Sequence, residues 1–414
     1  MPNQQLTTSI ITKAALAILD NELDVLGTFY RAIEPEFEKK VNGYEAGSTV
    51  DIRRPADFTV RNTIVSSAQD AIEGKVPLTI DQVRGVDFSF TSTELTLSID
   101  ELGERVIKPA VINIVNEIAR DCMVEAYRGT YNFVGTVGQT VNSFNDFSRA
   151  PERLDENAVP TSMRYAVLNP GDYWAMVGSQ TALFAPALVG SAWRDGGLGN
   201  IGGLETLMTQ VMPTHVVGVA TGTPLVNGAS QNVTYETARN TWSQSLVTDG
   251  WTNSTANILR AGDIFTIAGC SAVNPKTRAV LPFLQQFVVL ADATSGATTG
   301  PATLSISPPI ISSGPYQTVS AAPADNAAIT VVGTGGASIR QNLAYHKNAF
   351  ALAMVPMVMP PGSVDGARES KNGISIRIIP YYDGVNDRST YRMDVLYGRR
   401  LIDPRLTTRF AGSP

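Results

Sequence analysis

The sequence predicts an α+β protein with a large inserted β-rich region, and three observations carry that prediction. A strand-like stretch, Val83 to Leu97, runs straight into one long helical stretch, Ser98 to Tyr131. Helix signals then vanish between Val216 and Gln341, where Thr, Ser, Ala, Gly and Val dominate. Beyond Asn342 the chain returns to alternating strands and ordinary charge.

The strand prediction rests on a period of two. Val86, Phe88 and Phe90 alternate with Asp87, Ser89 and Thr91, the pattern of a half-buried strand. The helix prediction rests on steps of three and four. Leu102, Val106, Ile107, Val111, Ile114, Val115, Ile118, Cys122 and Ala126 form one apolar stripe. Ser98 and Glu101 make a capping box, and Asp100, Glu101 and Glu104 set negative charge at the positive end of the helix dipole. Such a helix from Ile99 to Arg128 would be roughly 45 Å long, with a kink expected near Arg105 to Lys108 because Pro109 lacks an amide hydrogen.

Composition narrows the function classes. The chain has 414 residues, 43% hydrophobic and 17% charged, enough for two to four structural units and a sizeable core. A net charge of −6 argues against a domain built to grip nucleic acid, although a wall that merely faces DNA is compatible with it. No run of about 18 apolar residues occurs, and the first residues, MPNQQLTTSI, lack signal-peptide character, so a cytoplasmic protein with no membrane contact is expected. Two cysteines, Cys122 and Cys270, are too few for a disulfide framework or a zinc site and are expected to be buried thiols.

Thr12 to Leu19 reads as a short helix, followed over Asp20 to Lys40 by a mostly acidic arm with a few apolar anchors. Gly43 to Gly85 reads as strand, polar turn, strand, with Pro55 and Pro77 suiting edges. A two-stranded hairpin is marginal alone, so it is expected to lie on another surface. Gly135 to Pro160 reads as a loop-rich connection. Tyr165 to Leu168 is a short strand entering Asn169-Pro170-Gly171-Asp172, with Asp172 starting the helix YWAMVGSQTALF.

Gly197 to Gly202 matches G-x-G-x-x-G, the dinucleotide-binding pattern. That pattern requires a buried strand before it, a helix opening at the glycines and an acidic residue about 20 positions on. SAWRD is a poor strand, and no Asp or Glu occurs from Thr206 through Tyr235, so the glycines are read as a loop before a strand at Leu204 to Val211.

Within the β-rich region, strands are predicted at Leu246 to Val247, Ile264 to Ala268, Gln286 to Leu290, Ala302 to Ile306 and Ile329 to Val332. The segment Ala261 to Thr277 is paired with LPFLQQFVVLADA, as in a small barrel or sandwich. Gly333 to Gly336 has no following helix and is read as a turn. His215 and His346 flank the region without metal-ligand spacing and are expected to be junction contacts. Asp383 and Asp387 are read as solvated loop carboxylates. No motif for a nucleophile, metal or cofactor is found, and the chain is expected not to be an enzyme.

The words VPLTIDQVRGVDFSFTSTELTLSIDELGERVIKPA (Val76 to Ala110), LNPGDY, the glycine turn ending at Met212-Pro213, NLAYHKNAFAL and the closure Arg392 to Arg409 occur in this order. They strongly resemble the major capsid (coat) proteins of tailed double-stranded DNA bacteriophages, with the Hong Kong 97-type fold, and most resemble the Salmonella podovirus coat class, which has an inserted β domain. The resemblance implies an N-terminal arm at 1–42, an extended loop at 43–85 and a peripheral domain with its spine helix at 86–150. It further implies an axial domain begun at 151–215, an inserted β domain at 216–341, and return strands at 342–414.

The implied function is self-assembly into an icosahedral head shell of pentamers and hexamers around packaged double-stranded DNA, in the virion capsid, assembled in the bacterial host cytoplasm with a scaffolding protein and a portal. Arm and extended loop would strap neighbouring subunits together, which makes Arg53, Arg54 and Arg61 candidates for intersubunit ion pairs. Lys75, the lone lysine of the extended loop, is a further candidate contact. Some shells of this fold crosslink Lys to Asn, but those with an inserted β domain generally resemble shells without such bonds. The alternative within the same fold is an encapsulin-like nanocompartment shell, which the inserted domain disfavours.

Overall fold

The computed structural model describes residues 12–13, 15–17, 25–31, 49–61, 64–65, 68–91, 106–180, 196–360, 366–371 and 374–413. The cap at Ser98 and the start of the long helix lie outside these residues, as does most of the acidic arm. The chain forms two compact units, one from 1–51, 77–122 and 350–400, the other from 52–76, 123–349 and 401–414.

The first unit is built on strand Arg388–Leu401, whose length lets it pair along more than one edge. Gln82–Thr91 runs antiparallel to it with Tyr391 opposite Phe88, and their rings stack at 5.6 Å. Ile374–Asp383 pairs with its other side and with Ala367–Lys371. The alternation predicted for Val83 onward therefore becomes a ladder of ten paired residues. Helix α1, Lys108–Gly129, buries Val111, Ile114, Val115, Ile118 and Cys122, the stripe read from its spacing. The π-helical pair Val106 and Ile107 lies just before Pro109, within the span where a kink is expected, and the chain before Val106 lies outside the described residues.

Asp121 on α1 is a polar anchor in this unit. It accepts hydrogen bonds from the Tyr397 hydroxyl at 2.6 Å and from Arg84 Nη2 at 2.5 Å. Burial and the neighbouring Asp121 carboxylate push the Tyr397 phenol far above its usual value, keeping it a neutral donor.

The second unit holds two six-stranded sheets. One has the order Phe133–Val134, Thr407–Phe410, Leu343–His346, Arg164–Leu168, Leu204–Met208, Asn200–Ile201. Helices α2, Phe144–Glu156, and α3, Pro170–Gln180, supply side chains to its core, where Phe147, Leu154, Met176, Leu168 and Phe410 are buried together. Helix α2 corrects the loop reading of 135–160. Ser143 caps it by accepting from the Asp146 amide at 3.2 Å, and the apolar positions Phe147, Ala150, Pro151 and Leu154 form one buried stripe. The start of α3 is likewise corrected. Asn169 is the capping side chain, accepting from the Asp172 amide at 3.1 Å, while Pro170 takes the first helical position.

The other sheet is antiparallel, in the order Ile329–Val331, Ile264–Val273, Val280–Val289, Ala302–Ser307, Gln244–Trp251, Gly222–Val226. Its two outermost strands meet through the bridge Leu225–Ala328 and the bond from the Val226 amide to Ala327 O, closing the sheet into a small barrel. The strand core is continuous, running through Leu246, Phe265, Ile267, Phe287, Val289, Leu304 and Ile306. One helical turn, Tyr235–Ala238, interrupts the otherwise all-β region. At its base Thr214–Val216 pairs antiparallel with Ser338–Arg340, with His215 opposite Ile339, so entry and exit of the segment are adjacent.

Candidate intersubunit elements

The extended hairpin is built from strands Thr49–Arg54 and Gly74–Thr79, which form a two-stranded sheet. Beyond Arg54 its chain leaves the sheet, and the segment nearest the turn exposes apolar side chains. Ile64 is fully exposed and Val60 is 91% exposed, with Val65 and Phe58 largely so. Water-facing aliphatics in such number are a surface made to be covered. Arg61 is exposed among them and donates from Nη1 to Ile64 O at 3.2 Å, while Gln69 bonds the backbone and hydroxyl of Thr59 across the hairpin.

The root of the hairpin is held by polar contacts inside the second unit. Asp57 receives Lys276 Nζ at 2.5 Å on one oxygen and Arg405 Nη1 at 3.0 Å on the other. Arg405 also grips Asp403 at 2.8 Å. Burial works against charge on both carboxylates, but the facing cations outweigh it and hold Asp57 and Asp403 below the usual carboxylate range. The Asp57 amide donates to the Tyr316 hydroxyl at 3.0 Å, and that hydroxyl donates to Ile72 O at 2.7 Å, so one tyrosine bonds both arms of the hairpin. Tyr316 stacks on Tyr235, ring centroids 3.4 Å apart. A Cβ at Gly74 would come within 2.6 Å of Arg239 O, so only glycine allows the hairpin backbone this close.

Of the four residues singled out as candidate contacts, Arg53 is exposed and pairs with Glu73 of its own hairpin at 3.7 Å. Lys75 is exposed, its amide bonded to Asn240 Oδ1 at 3.2 Å. Arg54 is the exception. It is 6% exposed, donates from Nε to Ile402 O at 2.8 Å and stacks on the Trp242 ring at 5.4 Å, so it is committed inside its own subunit. The adjacent Arg53 and Arg54 point apart because successive residues of a strand face opposite sides. Trp242 also receives Arg405 on its ring at 5.2 Å. Neither Trp242 nor Asp57 carried a sequence signal, since both sit in short polar stretches without periodicity.

The junction below the barrel is equally specific. His215 Nε2 lies 2.7 Å from Asp263 Oδ1, and the other Asp263 oxygen accepts from the Gly218 and Arg260 amides. Arg409 bonds Gly262 O at 2.8 Å and faces the Tyr127 ring, and burial lowers its guanidinium to about 10. Gln286 bonds both the amide and the carbonyl of Phe133, acting as a strand neighbour to it. His215 is thus a junction contact, and His346 is buried at the end of its strand with Nδ1 accepting from the Asn348 amide. Asn169, Asp172 and Asn342 form a buried knot in which Asn342 Oδ1 accepts from the Asn169 amide at 3.0 Å.

The glycines at 197–202 lead into strand Asn200–Ile201 and a two-glycine turn at Gly202 and Gly203, both with positive φ, with no helix to receive a phosphate. Among the described residues no cluster of metal-ligating side chains occurs, and no helix is long and apolar enough to cross a membrane. Cys122 and Cys270 are buried and outside any disulfide, and burial pushes Cys270 up to about 11.

Residues 39–412 match the family model described as P22 coat protein, gene protein 5. The chain belongs to the P22 coat protein family. It is 22% identical over 382 residues to the major capsid protein of Acyrthosiphon pisum secondary endosymbiont phage 1, covering 89% of this chain and 90% of that one. Among solved structures it is similar to a chain of Mycobacterium phage Che8, at 13% identity and a TM-score of 0.48 over 93% of this chain and 89% of that one. It is also similar to the CUS-3 coat protein I-domain, at 28% identity and a TM-score of 0.20, over 27% of this chain and 96% of that one. As a P22-family coat protein with an α+β fold, the chain is a phage major capsid protein that forms an icosahedral shell.

Proposed function

We propose that copies of this chain close into the phage head with the extended hairpin acting as the strap between subunits. The observation that carries this is the contrast within one hairpin: a root locked by Asp57, Tyr316 and Arg405, and an end that turns Val60, Ile64 and Val65 to solvent. A rigid root aims the apolar end, and burying it against a neighbour gains roughly 25 cal/mol per Å² of apolar surface. Repetition over every subunit turns that modest gain into a stable shell. Arg53, Arg61 and Lys75 lie exposed along the same hairpin and are the proposed polar contacts.

Assembly in the host cytoplasm with a scaffolding protein and a portal, and packaged double-stranded DNA facing the shell interior, complete the reading, as does a purely structural, non-enzymatic role. The acidic balance fits a wall that contains DNA without gripping it. Expression of the chain alone and with a scaffolding protein, followed by sedimentation and electron microscopy, tests it. Closed shells are expected with the scaffold. Monomers under both conditions would overturn the proposal, and particles filled with a protein cargo instead of nucleic acid would favour a nanocompartment.

A further inference from the structure

Beside the hairpin root lies a small cavity of about 20 Å³ with Trp242, Arg278, Asn157 and Arg405 in its wall. That is room for one water-sized particle. Three polar hydrogens in the wall, on Trp242 Nε1, Arg278 Nε and Asn157 Nδ2, find no hydrogen-bond acceptor in the protein. Trp242 is only 3% exposed, so its indole N–H has no recourse to bulk solvent. Leaving such a donor unmatched costs ~1–3 kcal/mol.

No carboxylate lines the cavity, whose remaining polar wall is made by Tyr131, Gln285, Tyr316, Gln317 and Thr318. Around it, Arg54, Arg278, Arg405 and Lys276 supply four cations against the two carboxylates Asp57 and Asp403. Burial, with the like charge of Arg405, already lowers Arg278 below the ordinary guanidinium value.

We propose that this cavity is a binding site for a single monatomic anion, a halide such as chloride, held by the Trp242, Arg278 and Asn157 N–H groups. Phosphate, sulfate and carboxylates are too large for the space. Bound there, the anion offsets the surplus positive charge next to Arg405 and so stiffens the contact that holds the hairpin root.

The test titrates potassium chloride or bromide into the refolded full-length chain in potassium gluconate at constant ionic strength and reads the denaturant midpoint. A saturating rise is expected, with W242F and R278Q still melting cooperatively but showing an apparent halide affinity at least about tenfold weaker, the loss of one charge-assisted hydrogen bond. Bromide-soaked crystals of the full-length chain should give one anomalous peak within hydrogen-bond distance of Trp242 Nε1. Equal halide responses in wild type and both variants, or ordinary oxygen density without an anomalous signal, would overturn the proposal, the second result meaning water only. If W242F does not fold, R278Q and the anomalous peak decide the matter.

Discussion

Asp57 shows how one side chain can lie outside every motif and still organise its surroundings. Its carboxylate joins Lys276 and Arg405, and its backbone amide donates to the Tyr316 hydroxyl, three groups distant from it in sequence. Removing it leaves Arg405 with half of its compensation, and breaking a buried pair typically costs ~3–5 kcal/mol. Because Lys276 is itself 64% exposed, D57A should cost nearer ~3 kcal/mol, read as a lower urea midpoint of the monomer. The sign with pH follows from the depressed folded pKa. Asp57 contributes its stability above the unfolded value near ~3.9, and that stability is lost as pH falls through the lower folded value. Between pH 5 and 2 the wild type should therefore lose more stability than D57N, and parallel loss would refute the assignment. His346 runs in a different window. Burial, then Arg164, lowers its pKa, so the folded state resists protonation and stability should decline as pH falls below ~6.5.

At the scale of elements, the closed barrel depends on its own interior. Phe287 and Phe265 are fully buried, ring centroids 5.7 Å apart, among residues drawn from the same segment. F287A should cost ~3–5 kcal/mol. Residues 216–341 expressed alone should melt cooperatively with a dispersed NMR spectrum, since adjacent ends and a private core are what an autonomous insertion needs. A non-cooperative fragment would tie the barrel's folding to the junction made by Asp263, Arg409 and Gln286. Helix α2 is a milder case. S143A removes the cap of a 13-residue helix and should cost ~1 kcal/mol.

For the whole molecule, folding and assembly should separate by mutation. I64D and V65D place charge at side chains that stand 100% and 77% exposed, so monomer stability should change by less than ~0.5 kcal/mol. Shell formation, followed by sedimentation with a scaffolding protein, should fail because the charges would have to be buried against a neighbour. Normal shells from both variants would remove the hairpin end from the list of intersubunit contacts. The converse holds at the root, where D57A should weaken the monomer itself.

The sequence by itself determined whatever depends on residues near in the chain. The period of two at Val83 onward, the three-four stripe of α1, five of the six barrel strands and the turn at the glycines before Leu204 all follow from spacing and from local turn chemistry, while the strand Gly222–Val226 gave no such signal. The ordered family words were legible too, and three of their polar residues, Asn169, Asp172 and Asn342, meet in one buried knot. Only the tertiary structure decided the rest. Arg53 and Arg54 look alike in sequence, yet one faces water and the other is buried beneath Ile402 and Trp242. Helix α2 escaped notice because its polar surface and Pro151 obscure a stripe that has meaning only once Phe410 stands opposite Phe147. The physical reason is the same in each case: burial, charge compensation and cavity shape depend on partners brought together across hundreds of residues, and local spacing carries no record of them.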